Sequence, residues 1–114
     1  MGSAEHEWFD VAAASDIAEG DVRTYLAGAD KVAVARAEGS LYAVQDRCSH
    51  DNGPLGEGCL AGFMVQCPRH GASFDIRDGQ VNSAPAVVGI GTFEVREQDG
   101  RVLVAGKPAG DDDW

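Results

Sequence analysis

The sequence is poor in positive charge and in aromatic residues, and it contains no long apolar run. Nine lysine and arginine residues stand against 19 aspartate and glutamate residues, which gives a formal net charge of −10. Such a chain is repelled by nucleic acid and by anionic membrane surfaces, so we expect neither as a partner. No apolar stretch approaches the roughly 20 residues that a membrane-spanning helix needs. The first residues also lack a basic segment followed by an apolar one, so we expect no secretory signal and a cytoplasmic protein.

Cysteine is also scarce. The chain has three cysteines, an odd number, whereas a small secreted domain stapled by disulfides usually has an even number. Two of them, Cys48 and Cys67, stand in short patterns with histidine. This combination favours metal binding in a reducing compartment over disulfide formation.

The sequence does contain many turn-forming residues in a short chain. Its 114 residues suffice for one domain, and its 15 glycines and 4 prolines favour tight turns between short strands. The predicted strands, several with period-2 alternation, are 8–11, 22–26, 31–37, 41–45, 63–66, 73–76, 92–97 and 101–105. Hairpin turns are expected at 38–39 and 98–100. This pattern predicts an all-β fold, an antiparallel sandwich or small barrel.

Two segments without periodicity, 46–62 and 67–72, interrupt the strands, and a loop is expected at 82–86. The first segment contains Cys48-Ser49-His50 and the second contains Cys67-Pro68-Arg69-His70. Each brings one thiolate and one imidazole, and together they predict a Cys₂His₂ metal site. Zinc takes the same donors, but a zinc finger usually pairs cysteine with cysteine and histidine with histidine. The mixed segments fit a two-iron cluster in which each loop supplies one ligand to each iron.

The C-x-H and C-x-x-H motifs at this separation resemble those of the Rieske iron–sulfur proteins. The resemblance extends through Cys67–Asp75, the Asp78-Gly79 turn and Pro85. It implies one [2Fe–2S] cluster, with Cys48 and Cys67 on one iron and His50 and His70 on the other. It further implies a Rieske-type antiparallel fold over residues 1–107, with a two-loop cluster-binding subdomain at about 46–74. Residues 108–114 are expected to form an acidic tail.

Departures from the respiratory Rieske proteins predict a low reduction potential. The disulfide of those proteins would fall at Gly53 and Arg69, so it is absent here. Their serine and tyrosine hydroxyl donors are replaced by Ala72 and Phe74. Strand alternation should point the Ser73 hydroxyl away from the direction of Ala72.

Some residues in and around these segments are expected to have no part in cluster binding. Cys59 has no partner and is expected to be a buried or loop thiol without a role. Four glycines, at positions 53, 56, 58 and 71, are expected to serve backbone geometry beside the cluster.

The chain is similar to the stand-alone Rieske ferredoxins of bacterial aromatic-ring dioxygenase systems. That resemblance implies an electron carrier that is not itself an enzyme, and the size and acidity of the chain favour a monomer. Its partners would be a flavin-containing NAD(P)H reductase and a terminal oxygenase. Two alternatives stay open: a small subunit of a larger redox enzyme of the nitrite-reductase type, or a non-enzymatic module linked to iron–sulfur cluster assembly.

Overall fold

A computed structural model of the protein describes residues 8–28, 30–46, 55–68, 72–83 and 89–105. These residues form eleven strands in three antiparallel sheets. The strands are β1 Trp8–Ala13, β2 Val22–Ala27, β3 Asp30–Ala37, β4 Ser40–Gln45, β5 Cys59–Ala61, β6 Met64–Gln66, β7 Ser73–Asp75, β8 Val81–Ser83, β9 Thr92–Phe93, β10 Val95–Gln98 and β11 Arg101–Ala105. The all-β antiparallel fold predicted from the sequence is confirmed.

The strand order separates a two-sheet scaffold from a smaller sheet. The terminal sheet has the order β1-β11-β10, and the central sheet has the order β2-β3-β4-β9. The small sheet has the order β5-β6-β7-β8, and its four strands have three residues each. Strands β5 and β6 lie between the two predicted ligand motifs in the chain, and β7 and β8 follow the second motif.

Strand β3 is the structural centre because both of its faces are buried. Its valines, Val32 and Val34, pack with residues of the terminal sheet in one hydrophobic core. Its alanines, at 33, 35 and 37, lie in a second core together with residues of the small sheet. Successive side chains of a strand point to opposite faces, so the alternation of valine and alanine assigns one residue size to each core. The small alanine side chains allow the small sheet to pack closely against the central one.

Both predicted hairpin turns are present. Glu38 and Gly39 have φ values of 54° and 80°, and Asp99 and Gly100 have φ values of 53° and 79°. Two successive residues with positive φ are typical of the type I′ turn, whose twist matches that of the flanking strands. The pairing of Ala37 with Ser40 confirms that the first loop contains two residues.

Three parts of the strand prediction are wrong. Residues 59–61 of the segment expected to be irregular form β5, and residues 81–83 form β8 although 82–86 was expected to be a loop. The predicted strand 92–97 is two strands in different sheets: β9 pairs with β4, and β10 pairs with β11. These elements are two to four residues long, too short for a periodic pattern to identify.

Helical structure is confined to two 3-10 turns in the described part of the chain, Ala14–Asp16 and Leu55–Glu57. The first lies between β1 and β2. Within the described ranges, neither is of the length and apolarity that crossing a bilayer requires.

Candidate metal centre

Cys67 is the one predicted ligand that lies among the described residues. It directly follows β6, is only 2% exposed, and belongs to the core shared by the central and small sheets. Its backbone N–H donates to the carbonyl oxygen of Ala72 at 2.7 Å, and Gln66 pairs with Ser73. Residues 67–72 are therefore the loop of the β6–β7 hairpin, and main-chain bonds close the base of that loop.

The segment with the other cysteine ligand leaves the central sheet at Asp46. This residue is 6% exposed, and its N–H donates to the carbonyl oxygen of Lys31 at 3.2 Å. Its carboxylate accepts a bond from the Gly56 N–H at 2.6 Å and another from the Thr24 hydroxyl at 3.1 Å. Residues 46 and 56 are thereby joined on either side of the segment that contains Cys48 and His50.

The bases of the two loops lie side by side. A Cβ atom on Gly58 would lie 1.9 Å from the carbonyl oxygen of Gln66, the residue immediately before Cys67. Cys59 pairs with that same Gln66 in the ladder between β5 and β6. Leu55, at the end of the first loop, is fully buried in the same core as Cys67. The fold therefore brings the return of the first loop and the start of the second into direct contact.

Cys48, His50 and His70 lie outside the described residues. Within the described ranges, no three histidine, cysteine or acidic side chains form a metal-binding group. The donor set nevertheless fits a [2Fe–2S] cluster. Two adjoining loops each bring one thiolate and one imidazole in sequence, and Cys67, the one predicted ligand among the described residues, lies in an apolar core beside the junction of their bases.

The two positions expected to lack a hydroxyl donor, Ala72 and Phe74, are both fully buried in the core of the small sheet. Between them, Ser73 is 7% exposed, and its hydroxyl oxygen accepts a bond from the Asn82 side-chain amide at 2.9 Å. The Ser73 hydroxyl therefore interacts across the strand pair of β7 and β8.

The expectation for Cys59 is wrong about its location. The residue is exposed and lies in strand β5, rather than in the core or in a loop. Alternation in this three-residue strand leaves Leu60 half-buried and both of its neighbours exposed.

An ion pair and two aromatic rings connect the small sheet to the central one. Arg77 donates to the Asp75 carboxylate from Nε at 2.9 Å and from Nη2 at 2.7 Å. Its guanidinium lies 4.1 Å from the centroid of the Phe63 ring, which makes an edge contact with Tyr42 of β4 at 5.9 Å. Hydrogen bonds from Arg77 lower the pKa of Asp75, so its carboxylate is anionic at neutral pH.

The chain belongs to the Rieske [2Fe–2S] domain family, whose model matches residues 7–94. It is 41% identical to ferredoxin CarAc of Metapseudomonas resinovorans over 101 residues, 88% of this chain and 94% of the relative. It is 33% identical to the ferredoxin component of the naphthalene 1,2-dioxygenase system of Pseudomonas putida, over 86% of this chain and 94% of the relative.

Structural similarity agrees with this assignment. A solved complex of reduced oxygenase and oxidised ferredoxin in carbazole 1,9a-dioxygenase matches with a TM-score of 0.81 and 40% identity. That match covers 88% of this chain and 94% of the solved one. The sequence-based resemblance to Rieske ferredoxins is confirmed.

No sequence motif marks Asp46 or Thr24, which meet at the base of the first predicted ligand loop. One signal was available, because Asp46 is a carboxylate that directly follows strand β4 and lies two residues before Cys48. Thr24 gave none, because it is 22 residues away from Asp46. The expectation that Gly56 and Gly58 serve backbone geometry agrees with the structure, since a side chain at either position would collide with a neighbouring segment.

Proposed function

We propose that this protein is a one-electron carrier that passes electrons from a flavin-containing NAD(P)H reductase to a terminal, ring-hydroxylating oxygenase. The observation that supports this most strongly is the match to dioxygenase ferredoxins along nearly their whole length, 94% for CarAc and for the naphthalene dioxygenase component. The carrier would have no catalytic residues of its own. Its work would be to hold the cluster and to present it to two protein partners in turn.

Cys48, His50, Cys67 and His70 are the residues that we propose to hold the cluster. A bound Rieske cluster supplies reversible storage of one electron, and its two imidazole ligands raise the potential above that of an all-cysteine cluster. The buried location of Cys67 supports this role, because the β6–β7 hairpin fixes its backbone and the surrounding apolar core limits water access. The remaining three ligands are proposed from the motif.

The acidic charge of the chain supports recognition of basic docking surfaces. A net charge of −10 would speed encounter with a cationic partner and would make the rate depend on salt. We expect the second-order rate constant for reduction of the oxygenase to fall as ionic strength rises. A rate that does not change with salt would leave solubility as the only consequence of the acidity.

We further propose the chain organisation and setting expected from the sequence. Residues 1–107 would form a single domain with its cluster-binding part at about 46–74, followed by an acidic tail at 108–114. Two hydrophobic cores that share strand β3 support a single folding unit. A monomer in the cytoplasm is the proposed state, since thiolate ligands persist in a reducing compartment. Light scattering of the purified protein tests whether it is a monomer.

The first test is the iron and acid-labile sulfide content of anaerobically purified protein, with an EPR spectrum after reduction. The proposal expects about two irons and two sulfides per chain and the low-average-g rhombic signal of a Rieske cluster. Cys67→Ser should abolish both, whereas Cys59→Ser, a change at the exposed cysteine outside the motifs, should preserve both. Zinc in place of iron, without sulfide, would exclude the electron-carrier function.

The second test is electron delivery. Purified protein is mixed with a ferredoxin reductase, NADH and a Rieske oxygenase from a related system, and oxygenase reduction is followed by absorbance. Turnover that requires this protein and disappears with Cys67→Ser would support the carrier function. A chain that purifies only as a tight complex with a larger redox enzyme would instead indicate a permanent subunit.

A further inference from the structure

We propose that the buried Asp46 carboxylate is a positioning residue that sets the geometry of the first ligand loop through its bonds to Gly56 and Thr24. The inference rests on the proposed function, since it concerns the segment that contains Cys48 and His50. Asp46 would not touch the cluster. It would act by fixing the two points between which that segment runs.

The first step is that a buried carboxylate needs partners. Asp46 is 6% exposed, and an uncompensated charge at such a site is costly. Its Oδ1 accepts from the Gly56 N–H at 2.6 Å, and its Oδ2 accepts from the Thr24 hydroxyl at 3.1 Å. With one oxygen bonded to the turn and the other to β2, this side chain can hold the Leu55–Glu57 turn against the end of β4.

The second step is that the surrounding backbone is shaped for this contact. A Cβ atom on Gly56 would lie 1.9 Å from the Thr24 hydroxyl oxygen and 2.7 Å from the Thr24 nitrogen. Only glycine allows the turn to approach strand β2 this closely. Asp46, Thr24 and Gly56 therefore join three separate segments at one point: the end of β4, the middle of β2 and the return of the loop.

The third step is the difference between the two loops. Main-chain bonding closes the second loop, from the Cys67 N–H to the carbonyl oxygen of Ala72, and that bond does not depend on which side chains are present. At the base of the first loop, the contact between Asp46 and Gly56 depends on a side chain. Substitution at Asp46 should therefore affect retention of the cluster.

The test compares loss of the cluster to an excess of iron chelator in the wild-type holoprotein and four variants. Substitution of residues that orient metal ligands typically costs about 10- to 100-fold in metal affinity, and we expect Asp46→Ala to accelerate cluster loss to a similar extent. Asp46→Asn keeps an oxygen acceptor for the Gly56 N–H, so its loss rate should remain near that of the wild type. Thr24→Val removes one of the two bonds and should give a smaller acceleration.

Glu19→Ala is the matched control. Like Asp46, Glu19 accepts two hydrogen bonds with one carboxylate; here both donors are backbone N–H groups, of Glu38 at 2.7 Å and Gly39 at 2.9 Å. These bonds lie at the turn of the β3–β4 hairpin, the end opposite to Asp46. The control should therefore lose a comparable capping interaction and leave the rate of cluster loss unchanged.

Amide exchange of residues 55–58, measured by mass spectrometry, gives a readout that is independent of the cluster. Asp46→Ala should accelerate it, and Asp46→Asn and Glu19→Ala should not. Equal cluster loss in Asp46→Ala and Glu19→Ala would overturn the inference, and so would an Asp46→Asn variant as labile as Asp46→Ala. Wild-type protein without a [2Fe–2S] cluster would instead overturn the proposed function, so the two failures are distinguishable.

Discussion

The two-sheet scaffold and the small sheet are stabilised in different ways. In the scaffold, β2 and β3 pair over six positions, as do β3 and β4, and two-residue turns close its hairpins. In the small sheet, no two strands pair over more than three positions. Sheets of such short strands gain little from local pairing, so the small sheet depends on packing against the alanine face of β3. The part of the protein next to the predicted ligand Cys67 is thus the part that relies most on tertiary contacts.

The largest effect should come from removing the side chain that packs the small sheet onto the scaffold. Phe74 is fully buried, and Phe74→Ala should reduce the free energy of unfolding by about 3–5 kcal/mol. Because the lost packing contacts are those of the small sheet, amide exchange measured by mass spectrometry should accelerate in residues 64–75 more than in β3 and β4.

Phe93→Ala is the matched control in the core between the two scaffold sheets. It should accelerate exchange across the central sheet as well. If Phe74→Ala accelerated exchange equally everywhere, the small sheet and the scaffold would be one cooperative unit, and the comparison above would be wrong.

A somewhat smaller loss is expected from adding a single methyl group where the two loop bases meet. A Cβ at Gly58 would lie 1.9 Å from the carbonyl oxygen of Gln66, so Gly58→Ala should destabilise the protein by about 1–3 kcal/mol and reduce its iron content.

Gly100→Ala tests the same substitution at the scaffold turn between β10 and β11. There a Cβ has open space but the φ of 79° is unfavourable, so the cost should be about 1 kcal/mol without loss of iron. Denaturant unfolding measures the stability loss of each variant, and iron analysis shows whether only Gly58→Ala also loses iron. Equal iron loss in the two would show that general instability, and not the loop junction, controls cluster retention.

The reduction potential should respond to the small sheet and not to the scaffold. Without hydroxyl donors at Ala72 and Phe74, we expect a midpoint toward the low end of the ~−150 to +300 mV Rieske range. Ala72→Ser should raise it by offering a donor to sulfur, whereas Ala43→Ser, the same change at a buried position in the core between the two scaffold sheets, should not. A wild-type midpoint in the upper half of the range would show that the missing hydroxyl groups do not control it.

The smallest effect is expected at the ion pair of the small sheet. The pKa of Asp75 is lowered in the folded state by Arg77, so its contribution to stability is present above the unfolded value of about 4. That contribution is lost as the pH falls through the folded value. The difference in unfolding free energy between wild type and Arg77→Met should therefore shrink below about pH 4. In an Asp75→Asn background the same substitution should show no such pH dependence.

Much of the scaffold was predictable because its signals are local. The alternation in β3 and β4 and the paired turn residues at Glu38-Gly39 predict those hairpins without knowledge of the rest of the chain. The strand at Val81–Ser83 was not predictable, because three residues cannot show a period. The break between Phe93 and Val95 was not predictable either. It occurs where the chain passes from the central sheet to the terminal one, and only pairing with distant strands produces it.

By itself, the sequence determined the chemical class of this protein. Two cysteines and two histidines in mixed pairs predict a Rieske site, because residue type and spacing are properties of the chain, and the match to the Rieske family confirms the class. Only the tertiary structure revealed how the site is supported. The contact of Asp46 with Thr24 joins residues 22 positions apart, and the contact of Gly58 with Gln66 follows from the pairing of two three-residue strands. Such contacts have no sequence signature, because they join groups from different strands that come together only in the folded chain.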